Sequence, residues 1–137
     1  MEEINTIEKW IFEINNTKKI IIVEGPYDKK ALENIGITNE VVVINDGTGL
    51  FETVEKVVKK VDKIINNDDQ IIEKKEVIIL TDFDKKGKEL YKKFKKDLIK
   101  HGVKIDSTFR EWLRRRTKVS HIEGIDSYVE HDGYVRK

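Results

Sequence analysis

The chain has 137 residues, 38% hydrophobic and 39% charged, which suits one domain, 1–137, with a single core. Its formal charge of +1 conceals a division, because residues 85–118 hold 14 basic and 4 acidic side chains while the rest is net acidic by 9. The absence of cysteine excludes disulfides and thiolate chemistry, no apolar run nears the roughly 18–20 residues that span a bilayer, and the acidic N-terminus does not resemble a cleaved signal. A cytoplasmic protein without membrane association is therefore expected.

In chain order, residues 3–15 place Ile4, Ile7, Ile11 and Ile14 on one stripe beside Trp10, predicting an amphipathic lead-in helix. Lys19 to Glu24 is a β-branched run that reads as a strand buried on both faces, closed by Gly25 and Pro26. A short helix is expected from Asp28 to Gly36, then a second strand from Glu40 to Ile44 and a polar loop from Asn45 to Gly49. Leu50, Val54, Val57, Val58, Val61, Ile64 and Ile65 share one helical face over 50–65, and 66–70 reads as a linker. Glu76 to Thr81 is the third strand. A lysine-rich helix follows Asp82 to Gly87 and runs to about His101, with Leu90, Phe94, Leu98 and Ile99 facing in. Val103 to Asp106 can supply a fourth strand. Phe109, Trp112 and Leu113 mark a short helix, Arg114 to Lys118 a basic turn, and Ile122 to Val129 another short helix before a fraying tail. The alternation predicts an α/β fold with a mostly parallel four-stranded sheet flanked by helices, its core at 18–106 and a basic C-terminal extension at 107–137.

In such a sheet, ligands bind beyond the carboxyl ends of strands. Glu24, Asp46, Asp82 and Asp84 all fall there. Acids set directly after buried strands are costly unless they meet water, cap a helix or hold a cation. Hard oxygen donors suit Mg2+, and His101, His121 and His131 fall in no known zinc spacing, so any metal is expected on carboxylates. For Asp82 and Asp84, ordinary helix N-capping is an equally good account of the spacing alone. Lys85 and Lys86 follow the acidic pair, and the backbone around Gly47 can approach a phosphate. Arg110, Arg114 and Arg115 are candidates for phosphate contacts because guanidinium matches phosphate bidentately, whereas Trp112 is expected in the core rather than as a stacking platform.

The segments KKIIIVEGPYDKKAL and EVIILTDFDKKGKEL resemble the two signature motifs of the Toprim domain over residues 18 to about 105. That domain is shared by type IA and type II topoisomerases, bacterial-type primases, OLD-family nucleases, recombination proteins and a nuclease that matures ribosomal RNA. The resemblance implies a Rossmann-like Toprim fold. It also implies Glu24 as proton donor or acceptor in phosphodiester chemistry, and Glu24, Asp82 and Asp84 together as the ligands of Mg2+, with Mn2+ as a substitute. Gly25 would permit a sharp turn, Asp28 would match the first motif's second acid, Gly87 would open the following helix, and Asp46 and Gly47 would lie in a polar loop near the site. The layout is similar to small stand-alone archaeal Toprim proteins and to the ribosomal-RNA maturase, and Lys118 to Ile125 resembles a segment of that enzyme.

The leading expectation is thus Mg2+-dependent phosphodiester chemistry on nucleic acid, RNA or DNA, as a nuclease or nucleotidyl transferase. The alternative is a non-catalytic RNA or ribonucleoprotein-binding module that uses the basic segment. A haloacid-dehalogenase-like phosphatase is disfavoured because no second downstream aspartate cluster is present. Oligomeric state is left open.

Overall fold

In the computed structural model, residues 3–44, 49–67 and 75–133 are described. Strands β1 (Ile21–Val23), β2 (Val41–Val43), β3 (Glu76–Ile79) and β4 (Lys104–Ile105) form a parallel sheet in the order β2-β1-β3-β4. Ile21 stands opposite both Val41 and Ile78, which centres β1 between its neighbours. The helices are α1 (Ile7–Thr17), α2 (Pro26–Asn34), α3 (Leu50–Asn67), α4 (Lys85–Lys100), α5 (Thr108–Arg116) and α6 (Ile125–Tyr128). A 3-10 turn at Ile122–Gly124 precedes α6, and a π-helical turn at Val129–Gly133 follows it.

Successive strand residues point to opposite faces, so a continuous apolar run is needed to bury both. Ile21, Val23, Ile78 and Leu80 pack with the apolar residues of α1, α2, α5 and the C-terminal helices. Ile20, Ile22, Val42, Ile44, Val77 and Ile79 pack with those of α3 and α4. The result is a helix–sheet–helix sandwich.

The lead-in helix begins at Ile7 because the Thr6 hydroxyl accepts the Lys9 N–H and caps it. Trp10 on α1 is fully buried, meets Phe109 edge to face at 6.0 Å, and donates its indole N–H to the Phe109 carbonyl at 3.0 Å. Trp112 donates in turn to the Ile4 carbonyl at 2.8 Å. These two indoles fasten α5 to the N-terminal layer, in keeping with the expected core placement of Trp112.

Three expectations need correction. Helix α2 starts at Pro26 rather than Asp28, since proline's fixed φ suits a first helical position and its missing N–H costs nothing there. Ile99 does not face in but is 52% exposed, because the core stripe of α4 is set by Tyr91, Phe94 and Leu98, which leaves Ile99 round the helix and Leu90 outside the core cluster. Arg114 to Arg116 form the last turn of α5 rather than a basic turn, where cations complement the helix dipole. The expected tail beyond residue 133 and most of the 66–70 linker lie outside the described residues.

The passage from β3 into α4 is unusually tight. A Cβ added to Gly87 would stand 2.1 Å from the Asp82 carbonyl oxygen and 2.5 Å from its carbonyl carbon. The Thr81 hydroxyl also donates to the Gly87 carbonyl at 2.8 Å, so α4 is drawn against the end of β3. At the opposite end of the sheet, the Lys19 ammonium lies 2.8 Å from Asp106 and 3.1 Å from Glu76, linking the starts of β1 and β3 to the exit of β4. Burial would raise the Asp106 pKa, but the Lys19 contact and the Thr108 donors outweigh it and hold the carboxyl below its ordinary value of 3.8.

Gly87→Ala is expected to destabilise the fold by about 1–3 kcal/mol, the usual cost of overpacking, as measured by urea denaturation. An unchanged midpoint would mean that the β3–α4 junction is looser than described. Asp106→Asn is expected to cost about 1–2 kcal/mol at neutral pH while keeping the acceptor for the Thr108 N–H. Because the folded-state pKa is depressed, the charge contributes above the unfolded value and its contribution is lost as pH falls. Denaturation of both proteins should therefore show the gap closing below pH 3.8, whereas a gap independent of pH would contradict the pairing.

Candidate metal and nucleic-acid site

The chain passes from β1 outward to β2 and then returns across β1 to β3, so the order of strands reverses between β1 and β3. Crossovers leaving such a point diverge to opposite faces and open a crevice at the carboxyl ends of the strands. Glu24 leaves β1 at that crevice, and Asp82 and Asp84 leave β3 beside it.

The backbone fixes each acid individually. Glu24 is 8% exposed, and its Oε2 accepts the Asp82 N–H at 2.7 Å, joining the two strand exits directly. Gly25 then caps α2 in extended backbone, and Asp28, in the first turn, folds back so that its Oδ2 accepts the Gly25 N–H at 2.9 Å. Asp28 is thus buried beneath Glu24's turn. Asp82 uses Oδ1 to accept the Ile122 N–H at 2.8 Å. Asp84 is the N-cap of α4, with Oδ1 accepting the Gly87 N–H at 2.8 Å. Capping and metal binding are therefore compatible, since the cap occupies one oxygen of Asp84 and its Oδ2 faces elsewhere.

What Asp84 Oδ2 faces is His121, whose Nε2 lies 3.5 Å away. Donor atoms of Asp82, Asp84 and His121 all fall within 4.8 Å of one another. Two ligands on opposite sides of an ion at about 2.1 Å stand about 4.2 Å apart, so small side-chain adjustments would let this group hold a divalent cation. Glu24, expected as a ligand with the two aspartates, falls outside that group, and its Oε1 accepts no hydrogen bond from the described residues. Its carboxyl is pushed up from the ordinary range by burial and by the nearby Asp82, Asp84 and Asp28 carboxylates, against the opposing Asp82 N–H. Burial likewise raises Asp28, with Asp82 and Glu123 adding to it against the Gly25 N–H. The donor set thus fits a hard or borderline cation, which would relieve the mutual repulsion of the acids.

His121 was absent from the expected ligands. It lies 37 residues beyond Asp84, and only the folding of the 117–122 segment over the β3–α4 loop brings it in. The likeness of Lys118 to Ile125 to a maturase segment was the sole sequence signal near it.

Arg110 requires a different reading from the one its composition suggested. It is 8% exposed, not part of the basic surface, and donates from Nε to the Thr81 carbonyl at 3.2 Å and from Nη2 to the Asp82 carbonyl at 2.8 Å. Its guanidinium is stacked between Phe83 at 4.7 Å and Tyr91 at 4.6 Å. Arg110 therefore clasps the backbone that carries the acids rather than presenting itself to a phosphate. Lys85 and Lys86 are exposed in the first turn of α4, next to the acids. Arg114 and Arg115 are exposed farther along α5, where Arg114 pairs with Glu111 at 2.6 Å. Asp46 and Gly47 lie outside the described residues. A cleft of about 500 Å³ adjoins the site, lined among others by Lys118, Ser120, His121, Ser127 and Tyr128. Among the described residues no helix is long and apolar enough to cross a membrane.

The family model for the Toprim domain matches residues 18–109. The chain is 31% identical over 125 residues to a UPF0292 protein of Thermococcus onnurineus, covering 91% of this chain and 82% of that one. It is 30% identical over 118 residues to a UPF0292 protein of Methanocaldococcus jannaschii, covering 85% and 82%. A solved structure of an Aquifex aeolicus protein superposes with a TM-score of 0.67 at 27% identity, over 88% of this chain and 98% of that one. The fold is one that typically binds metal and acts on nucleic acid. With its parallel sheet, the acids at the ends of β1 and β3 and these matches, the chain belongs to the Toprim domain family.

Proposed function

We propose that this protein carries out divalent-metal-dependent phosphodiester chemistry on nucleic acid, as a nuclease or nucleotidyl transferase, with Mg2+ the first ion to test and RNA the first polymer. The observation that carries this reading is the placing of Asp82 and Asp84, which share a group of close donor atoms with His121, at the reversal point of the sheet, with Glu24 beside them accepting the Asp82 N–H. A cytoplasmic setting accords with such a substrate.

Each side chain has a role that follows from its surroundings. Asp82 and Asp84 would hold the ion through the oxygens not committed to Ile122 and Gly87. A bound divalent cation would supply the positive charge that offsets charge developing on the phosphate. Glu24, whose pKa is raised, is suited to hold a proton at Oε1 and release it to the leaving oxygen, or to accept one from the attacking nucleophile. Asp28 orients the turn after Glu24 through the Gly25 N–H. Lys85 and Lys86, and then the exposed lysines of α4, offer phosphate contacts that position the polymer without reading its sequence.

That same exposed lysine face supports a second reading, a binding module that does not need the acids. A panel of structured RNA, single-stranded DNA and duplex DNA, assayed with Mg2+, Mn2+ and EDTA, separates the two. The enzymatic reading expects metal-dependent turnover that falls by about 10²–10⁴ in Glu24→Gln and is lost in Asp82→Asn. Full activity in either variant, or no turnover on any polymer, contradicts it. Salt-sensitive binding that persists in EDTA without turnover would instead support the binding module.

A further inference from the structure

We infer that His121 is a third protein ligand of the cation held by Asp82 and Asp84, and that this mixed imidazole–carboxylate set makes the site prefer Mn2+ or a similar first-row transition ion over Mg2+. The inference rests on the reading of the two aspartates as cation ligands and names a chemical preference that the carboxylates alone do not.

The argument begins with how firmly His121 is held. The residue on its N-terminal side, Ser120, accepts the Phe83 N–H through its carbonyl at 3.0 Å. The residue on its C-terminal side, Ile122, donates its N–H to Asp82 Oδ1 at 2.8 Å. His121 is thus bracketed by two hydrogen bonds, both to the three-residue stretch that carries the acids. A surface histidine with a merely solvating role needs no such stitching.

The ring is oriented as well. Nδ1 lies 3.0 Å from the Ser120 hydroxyl, and Nε2 is directed at Asp84 Oδ2. In the tautomer in which Nδ1–H donates to the Ser120 hydroxyl, Nε2 carries its lone pair into the space shared with the aspartates. Metal-bound histidines commonly have this arrangement, in which a hydrogen bond at one nitrogen fixes the other for ligation. The 3.5 Å separation of Nε2 from Asp84 Oδ2 is longer than a hydrogen bond between nitrogen and oxygen, so neither atom is satisfied by the other. It is also a separation that adjacent ligands of one ion can adopt with little movement.

The chemistry of the donors sets the preference. Mg2+ strongly favours oxygen ligands, whereas imidazole suits the later first-row divalent ions, and carboxylates together with imidazole suit Mn2+. The half-exposed position of His121 leaves a route for the ion from solvent, and its place on the edge of the adjoining cleft would let a substrate approach an ion held there.

The test uses the full chain and the metals alone. Titration with Mn2+, followed by electron paramagnetic resonance, should show one site whose spin-echo spectrum carries a nitrogen coupling. His121→Ala should remove that coupling and weaken Mn2+ binding by more than about tenfold while leaving Mg2+ affinity within twofold, and Ser120→Ala should weaken Mn2+ by about tenfold. Bound Mn2+ without nitrogen coupling in the unaltered protein, with binding that still depends on Asp82, would overturn the assignment of His121 and leave the aspartate site standing. Unchanged Mn2+ binding in Asp82→Asn would overturn the aspartate site and this inference together.

Discussion

The arrangement depends on a single hydrogen bond across two strand exits, from the Asp82 N–H to the Glu24 carboxylate. Adjacent parallel strands end side by side, so an acid placed one residue beyond β1 finds an unpaired backbone donor just beyond β3. Without that donor, a carboxylate only 8% exposed would lie among other carboxylates with no compensation. With it, Glu24 is held in place yet keeps a raised pKa, because the desolvation and the neighbouring charges outweigh one N–H. A group poised in that way is suited to proton transfer, and the same repulsion that raises its pKa favours a cation nearby.

The rest of the molecule stabilises this meeting of acids without neutralising it. Gly87 lets α4 approach the Asp82 carbonyl closely, which sets where Asp84 caps the helix. Arg110 is the nearest buried cation, but its donors engage the carbonyls of Thr81 and Asp82 rather than the carboxylates. It thus fixes the loop's backbone and leaves the acids' outward oxygens available. Trp10 and Phe109 anchor α5, and through it Arg110, to the N-terminal layer. The 117–122 segment then closes over the loop with bonds from Phe83 to Ser120 and from Ile122 to Asp82. Even the lead-in helix is therefore mechanically connected to the site.

Much of this was legible from the sequence because it is encoded locally. The runs around Ile20 to Val23 and Val77 to Leu80 identify strands buried on both faces, and Glu24, Asp82 and Asp84 follow them immediately. The sheet could be anticipated from that pattern, and the three acids stand out by their place at the strand ends, but a role for them beyond capping came from the likeness to the Toprim motifs. His121 could not, because its approach to Asp84 depends on backbone hydrogen bonds between segments 37 residues apart. Arg110 was misread for a related reason, since a cluster of arginines does not reveal which member turns inward. The one clue was its position beside Phe109 on a helix whose opposite end is charged. Pro26 concealed the start of α2 in the same local way, being read as the end of a strand when it is also a good first residue for a helix.

The fold and the site thus carry one claim, that the acids at the ends of β1 and β3 form a single cation-binding centre. The most direct measurement is anomalous diffraction from crystals of the full chain soaked in Mn2+. The account predicts one strong peak within coordination distance of both Asp82 and Asp84 and beside Glu24. A peak elsewhere on the surface, or none at the strand ends when Mn2+ is in excess, would contradict it.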